Sequence, residues 1–492
     1  MIQGFVKDLI KYLPAQIVQA LVGFITIPIV TRLFLPADYG NYSLVLVTVS
    51  ILTIIIDWIG MSIIRFYALY ERGNKLVEFN NNISKLLLIS LTILTILFLA
   101  IIFSLKSYIS SQLWQLLLIG TLVFIFTASF QTLLQLLRVR MQVNWYTGFS
   151  IWNSMVPWGI GIALVVGLGF GIDGLLWGSI LSTAVIFPLL CIVTLKGKIS
   201  HKFTGISFTL SKEMAQYGFP LVVGNLAAWI LSLSDRYILE LFRGSQEVGI
   251  YSVSYNISQY SVLLLVTLIT LASGPISMKI WEDQGAEKSK EFVNKITRYF
   301  LILCVPMVLG ITILAKPIIE MLTPSEYYDG YRIMGLIALG VFFLGLQQCF
   351  QFGLLFYKQT RHIMVAIIIS ALLNLGLNFW LVPQYGYMGS AAATLVSYGA
   401  LFIIMIFISR QYFIWPFPFK SMWKILLSSV VMGIVVYITN SITSATLINL
   451  ITNVCVGIVV YILMLFLLRE PQKEEIHELL SIRSKLLGKP TK

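Results

Sequence analysis

Apolar residues come along this chain in long runs separated by short polar connectors. A helix crosses the hydrocarbon core of a bilayer in roughly 20 apolar residues, with a range of about 17–25. Fourteen runs meet that requirement, over residues 10–33, 42–66, 84–104, 114–138, 148–169, 173–195, 213–235, 249–274, 297–316, 332–356, 362–382, 387–409, 424–440 and 446–468. The last two are short and are divided by a six-residue polar bend. No small-residue cleavage site follows the first run, so it reads as a retained span and not as a signal peptide. The pattern predicts an all-α, multi-pass membrane protein of about 14 transmembrane helices.

No connector exceeds about thirty residues. A folded domain needs at least about 50, so an extramembrane glycosyltransferase, ligase or polymerase domain is excluded. The tail 469–492 sets Ile476, Leu479, Leu480, Leu486 and Leu487 among charges. It is either a short helix lying on the inner leaflet or a frayed end.

Composition sharpens this picture. Hydrophobic residues make up 58% of the 492 and charged residues 11%, against about 45–50% and about 25% in soluble domains. A soluble enzyme, a secreted domain and a disordered chain are excluded. The net charge of +13 would raise the question of nucleic acid, but its distribution answers differently. Arg32, Lys106, Arg236, Arg243, Lys316 and Arg332 lie on one set of alternate connectors, and the other 28 of the 34 basic residues lie on the opposite set. That is the positive-inside pattern, with both termini cytoplasmic and no nucleic-acid partner. The four cysteines form no C-x-x-C, and His201, His362 and His477 are scattered over polar connectors. No disulfide framework, metal site or cofactor is expected.

The two halves repeat one another. Asp38-Tyr39-Gly40-Asn41-Tyr42-Ser43 follows the first span, and Glu247-Val248-Gly249-Ile250-Tyr251-Ser252 follows the seventh, at an offset of 209. Gly171-Ile172-Asp173-Gly174 with Ser182 answers to Gly386-Tyr387-Met388-Gly389 with Ser397, Gln131 and Gln135 answer to Gln347 and Gln351, and Pro14 answers to Pro220. Four matches in one order predict two six-helix lobes of the same orientation, related by a pseudo-two-fold axis along the membrane normal. The expected divisions are an N-terminal lobe 1–196, a cytoplasmic connector 197–212, a C-terminal lobe 213–410, an added helix pair within 411–468 and the tail 469–492. Two lobes about one axis suit a transporter that rocks between inward-open and outward-open states.

Polar residues inside the spans mark the candidate site, because a mid-membrane charge costs at least about 2.5–3.5 kcal/mol. Asp57 in the second span is the clearest. Gln16 and Gln19 on the first span lie at its depth and share one helix face. Gln131, Gln135 and Arg138 form a stripe on the fourth span, matched by Gln347 and Gln351 on the tenth. Asn225, Asp235 and Arg236 come from the seventh span, and Asn256 and Gln259 from the eighth. Together with Arg32 and Arg65 these are expected to line a hydrated cavity. Gln and Asn would meet sugar hydroxyls, and the arginines phosphate oxygens. The alternative is that the amides join helices, that Arg65 and Arg138 are inner-boundary charges, and that Arg32 and Arg236 snorkel at the outer boundary. Asp57 is a candidate for proton or sodium coupling, or a structural partner of a cation. No catalytic constellation and no Walker A sequence occurs, so an enzyme is not expected.

The run Ile27-Pro28-Ile29-Val30-Thr31-Arg32 with Pro36-Ala37-Asp38-Tyr39-Gly40-Asn41-Tyr42, then Gly60 and Arg65-Phe66-Tyr67, resembles the polysaccharide-type flippases of the multidrug/oligosaccharidyl-lipid/polysaccharide exporter superfamily. The resemblance is residue by residue over about 23–67, with echoes at 247–252 and 386–397. It implies that a polyprenyl-pyrophosphate-linked oligosaccharide, of the kind used for O-antigen, is flipped from the inner to the outer leaflet by alternating access. The lipid tail would remain in membrane lipid. Polysaccharide polymerase or export machinery would be the partners of a monomeric transport unit. Arg32, Asp57 and Arg65 are the positions to which the family's charged cavity residues carry over. Two other readings compete: a cation-coupled exporter of drugs or metabolites from the same superfamily, and a non-transporting scaffold of a polysaccharide-synthesis complex.

Overall fold

A computed structural model describes residues 2–195, 207–442 and 446–471. Most of the expected connector 197–212 and nearly all of the tail 469–492, with His201 and His477, lie outside the described residues. The helices in chain order are α1 (Ile2–Leu33), α2 (Pro36–Ile56), α3 (Trp58–Arg72), α4 (Leu76–Ser104), α5 (Ser111–Val139), α6 (Val143–Leu168) and α7 (Asp173–Leu195). They continue with α8 (Phe208–Leu233), α9 (Asp235–Arg243), α10 (Ser245–Leu322), α11 (Tyr331–Phe356), α12 (Thr360–Ser409), α13 (Phe419–Ile442) and α14 (Leu447–Leu467). Local chemistry sets many of the ends. Pro36 opens α2, where a missing N–H costs nothing. The Ser110, Ser207 and Thr446 hydroxyls accept from the first free amides of α5, α8 and α14.

Among the described residues, twelve helices are long and apolar enough to cross a membrane, and the chain is a multi-pass membrane protein. Two of the twelve exceed any single crossing. The 78-residue α10 is broken at Gly285 and the 50-residue α12 at Gly386, both at positive φ that glycine adopts without steric cost. The expected second span, 42–66, is also not one continuous helix. The chain turns at Asp57, whose N–H bonds back to the Thr53 and Ile54 carbonyls, and resumes as α3. The candidate intramembrane acid therefore sits at a helix break.

The chain divides into two compact units. The first is Met1–Tyr260 with Arg361–Leu401, and the second is Ser261–Thr360 with Phe402–Lys492. In the first, α6 packs on α7 and α1, α2 on α5, and α3 on α8. Gly178 lies so close to the Gly161 backbone that a Cβ would overlap it. In the second, α13 packs along α14. There Arg298 Nε donates to Glu470 Oε1 at 2.7 Å in a buried pair, and Tyr461 donates to the Ile302 carbonyl at 2.7 Å. These contacts fasten α14 and the residues just after it to the part of α10 that follows Gly285.

Candidate functional site

The two copies of the repeated motif meet within the first unit, where α2 crosses the start of α10. Gly40 lies against the Ser245 carbonyl, and Gly249 lies against the Pro36 carbonyl. Any Cβ at either glycine would fall inside the opposite carbonyl group. Pro36 and Ser245 are separated by the same 209 positions as Gly40 and Gly249, so the contact is reciprocal. Ser43 Oγ donates to its repeat mate Ser252 Oγ at 2.9 Å. A contact in which i meets j and j meets i is what a two-fold axis produces.

A chain of side-chain hydrogen bonds runs across this crossing. Gln112 Nε2 donates to Asp38 Oδ1 at 2.6 Å, and Asn41 Nδ2 donates to Gln112 Oε1 at 2.6 Å. Ser245 Oγ lies 2.8 Å from Asn41 Oδ1 and 2.9 Å from Glu240 Oε1. The remaining Glu240 oxygen is buried without a hydrogen bond. Burial pushes the Glu240 carboxyl above its usual range, and the Ser245 hydroxyl offsets part of that rise. Two residues further along, Glu247 Oε2 accepts from the Tyr387 N–H at 2.9 Å, and Arg243 donates to the Val382 and Pro383 carbonyls. These two side chains clamp the bend at Gly386 from both sides.

Asp235 and Arg236 open α9, just after the turn at Ser234, and are 1% and 2% exposed. Arg236 Nη1 donates to Asp235 Oδ1 at 3.0 Å and to the Ser232 carbonyl at 3.3 Å. Its guanidinium lies 4.7 Å from the Tyr255 ring centre and 5.5 Å from that of Tyr251. Tyr251 donates to Asp235 Oδ2, and Thr394 reaches the same oxygen at 3.5 Å. The expectation that both charges face a hydrated cavity is not what the packing places here. The pair neutralises itself inside a tyrosine cage, because a buried charge must be paired.

Asp57 and Gln135 flank Gly60. A Cβ on Gly60 would run into Asp57 Oδ1 and touch the Gln135 side chain, so this glycine makes room for the carboxylate. Gln135 Oε1 is buried without a hydrogen bond. Next to Asp57, Trp58 stacks on Phe219 at 5.2 Å and Ser62 donates to the Met214 carbonyl at 2.9 Å, joining α3 to α8.

The other expected residues are dispersed. Gln16, Gln131 and Gln259 are half-buried, whereas Gln19, Arg32, Arg65, Arg138 and Asn225 are exposed. Gln347 is buried and Gln351 half-buried, both in the second unit, where the neighbouring Gln348 accepts from Thr270 at 2.8 Å. Asn256 donates to Tyr39 at 3.4 Å. It lines a small cavity of about 70 Å³ walled by Tyr39, Tyr42, Trp158 and Tyr260, with Thr26.

Several polar residues escape the sequence reading. Arg140, not Arg138, turns inward. Its Nε donates to Tyr67 at 3.2 Å and its Nη1 to the Thr194 carbonyl at 2.6 Å. Two residues are about 200° around a helix, so the neighbour of an exposed position is an inward one. Asn374 and Asn378 are fully buried and hydrogen-bonded to each other at 3.1 Å. Their i, i+4 spacing was the available signal.

A family model described as "Polysaccharide biosynthesis protein" matches residues 29–332, and the chain belongs to this family. The sequence is 28% identical over 269 residues to a probable flippase, AglR, of Haloferax volcanii, covering 53% of each chain. The chain thus spans about half the length of such curated relatives in the matched region. Its fold is similar to that of the lipid II flippase MurJ in an inward closed conformation. That match has a TM-score of 0.76 at 19% identity and covers 94% of this chain and 99% of the other. It is also similar to an inward-facing multidrug resistance MATE family transporter. There the TM-score is 0.64 at 12% identity, over 80% of this chain and 94% of the other. The fold expected from the resemblance is therefore present.

Proposed function

We propose that the protein flips polyprenyl-pyrophosphate-linked oligosaccharide from the inner to the outer leaflet of the cell membrane, by alternating access, for surface polysaccharide synthesis. The observation that carries this reading is the reciprocal contact of the two repeat motifs. Alternating access needs a contact at one membrane face that forms and breaks, placed on the symmetry axis of two lobes. Glycines on carbonyls, the Ser43–Ser252 pair and the Asn41–Ser245 hydrogen bond supply a crossing that is close and is bridged by small polar groups. Family membership and the flippase relatives point the same way.

In this reading the lobes are residues 1–196 and 213–410, α10 and α12 each count as two crossings at their glycine breaks, and the fourteen spans leave both termini inside. The crossing of α2 and α10 is then the outer gate. Asp57, at the helix break with Gln135, carries the coupling ion, while Gln16, Gln19 and Gln131 offer amides to sugar hydroxyls. Arg65 and Arg138, exposed towards the inner boundary, meet the pyrophosphate as it enters. The chain acts as a transporter and not as an enzyme.

The test is a deletion strain. Lipid-linked glycan should accumulate on the inner face and be cleared by the wild-type gene. Normal surface glycan in the deletion strain excludes the reading.

A second reading, a cation-coupled exporter, draws on the cavity walled by Tyr39, Tyr42, Trp158 and Tyr260. Aromatic faces without a lining charge suit an organic cation. Efflux of lipophilic cations by the purified protein in vesicles, with no movement of glycan lipid, would select it.

A further inference from the structure

We propose that Glu240 is a proton-binding site that latches the crossing of α2 and α10, so that the crossing closes with one proton held on this carboxyl and loosens when the proton leaves. Four hydrogen bonds connect the carboxyl of Asp38 to that of Glu240 through Gln112, Asn41 and Ser245, at 2.6, 2.6, 2.8 and 2.9 Å. Each link needs one hydrogen. The two amides and the hydroxyl, each using one face to donate and one to accept, supply three. The fourth must come from a carboxyl at one end.

This count does not depend on how the amides are turned. As assigned, Gln112 donates to Asp38, Asn41 to Gln112 and Ser245 to Asn41, which leaves Glu240 to donate to Ser245. With both amides reversed, the missing hydrogen would fall on Asp38 instead. If both carboxyls were ionised, two acceptor oxygens would face each other at under 3 Å with no hydrogen between them.

Location decides which end holds the proton. Asp38 lies in the first turn of α2, where the helix dipole favours a negative charge. Glu240 lies in the last turn of α9, where the dipole opposes one. Its second oxygen is buried and unbonded, a costly place for a carboxylate and a tolerable one for a carboxylic acid.

The charged and titratable groups near this end are otherwise engaged. Arg236 is paired with Asp235, Arg243 with the Val382 and Pro383 carbonyls, and Glu247 with the Tyr387 amide. Among the described residues, no cation pairs with Glu240. The ligand is a proton taken from the medium, and the reaction is simple association: the carboxylate of the open crossing and one hydronium proton give the carboxylic acid of the closed one. The sign follows. The closed form binds more protons than the open form, so acid favours closure, and closure weakens as pH rises through the raised pKa of the closed state. That the proton comes from outside the cell rests on the orientation proposed above. The latch itself does not.

The test uses the full chain in lipid nanodiscs, with the four cysteines changed to alanine and spin labels at Leu35 and Leu241, both exposed positions flanking the crossing. Distances are measured without substrate between about pH 5 and about pH 9. The short-distance population should dominate in acid. Its ratio to the long one should fall by up to about tenfold per pH unit across the titration. Glu240→Gln brings its own amide hydrogen to that end, and Asp38→Asn supplies one from the other end. Both should keep the short population at either pH. A wild-type distribution that does not move with pH overturns the proposal, as does either variant that tracks pH as the wild type does. Because no glycan lipid is present, a failed latch leaves the flippase reading standing, and a failed flipping assay leaves the latch result intact.

Discussion

Ser43 and Ser252, 209 positions apart, share a hydrogen bond of 2.9 Å between their hydroxyls. They are the same position of the repeated motif, so the repeat closes on itself at this pair. Around them Gly40 and Gly249 let two backbones approach to contact, as small residues do at crossings of membrane helices. On the proposed reading, a gate made this way would be held by backbone fit and a few polar bonds, and would open without unlocking large interdigitated side chains.

Gly40→Ala and Gly249→Ala should each prevent that approach, because the obstructing atoms are backbone carbonyls that cannot rotate away. Overpacking of this kind costs about 1–3 kcal/mol, which shifts the closed-to-open ratio by roughly five- to more than a hundredfold. Flipping by reconstituted protein should fall by a similar factor, and the Leu35–Leu241 label distance should lengthen, while membrane insertion is unchanged. Full flipping by both variants would remove the crossing from the gate.

Asp57→Ala and Gln135→Ala should insert normally and lose transport by about tenfold or more, since a polar residue kept at membrane depth is retained for function. Asp57→Asn distinguishes the roles. It should retain fold and substrate binding but lose any dependence of flux on the ion gradient, measured in vesicles with and without an imposed gradient. Wild-type flux from Asp57→Ala would take this residue out of the mechanism.

Asp235→Ala should destabilise the protein more than the paired change Asp235→Ala with Arg236→Ala. Removing one partner leaves a buried guanidinium without its counter-charge, at about 3–5 kcal/mol. Thermal unfolding followed by size-exclusion chromatography should show the single variant as the least stable. Arg236→Lys should also lose stability, because an ammonium cannot lie flat against Tyr255 while reaching the Ser232 carbonyl.

Trp158→Ala and Tyr260→Ala open the aromatic cavity and leave the Gly40–Ser245 and Gly249–Pro36 backbone contacts in place. Under the flippase reading, lipophilic cations should neither compete with glycan lipid nor be exported by either variant or by the wild type. Export of such cations that is lost in both variants would favour the exporter reading.

Parts of the site were legible before the fold. The offset of 209 singled out the two glycines and the two serines as a matched set, and Asp57 stood out as an acid in an apolar run. Gln112 and Glu240 did not stand out. Each is an ordinary polar residue near the end of a helix, and only their arrangement with Asn41 and Ser245 turns them into a chain. Asp235 and Arg236 carried a signal that pointed the wrong way. Two charges at a span end suit a cavity wall as well as a buried pair, and adjacency in sequence does not say which. Arg138 and Arg140 differ by two positions and by opposite helix faces, so the inward one was recovered only from packing.

The sequence by itself determined that the chain lives in a bilayer, roughly where its spans fall, how its basic residues are distributed, and that one short motif recurs at an offset of 209. Those properties follow from hydropathy, charge and local pattern, which are carried by neighbouring residues. Tertiary structure decided which copies of the motif touch, which charges are buried against each other, and which side chains join the Asp38 and Glu240 carboxyls in one chain. Those depend on atoms brought together from helices more than two hundred residues apart, and local pattern carries no record of that approach.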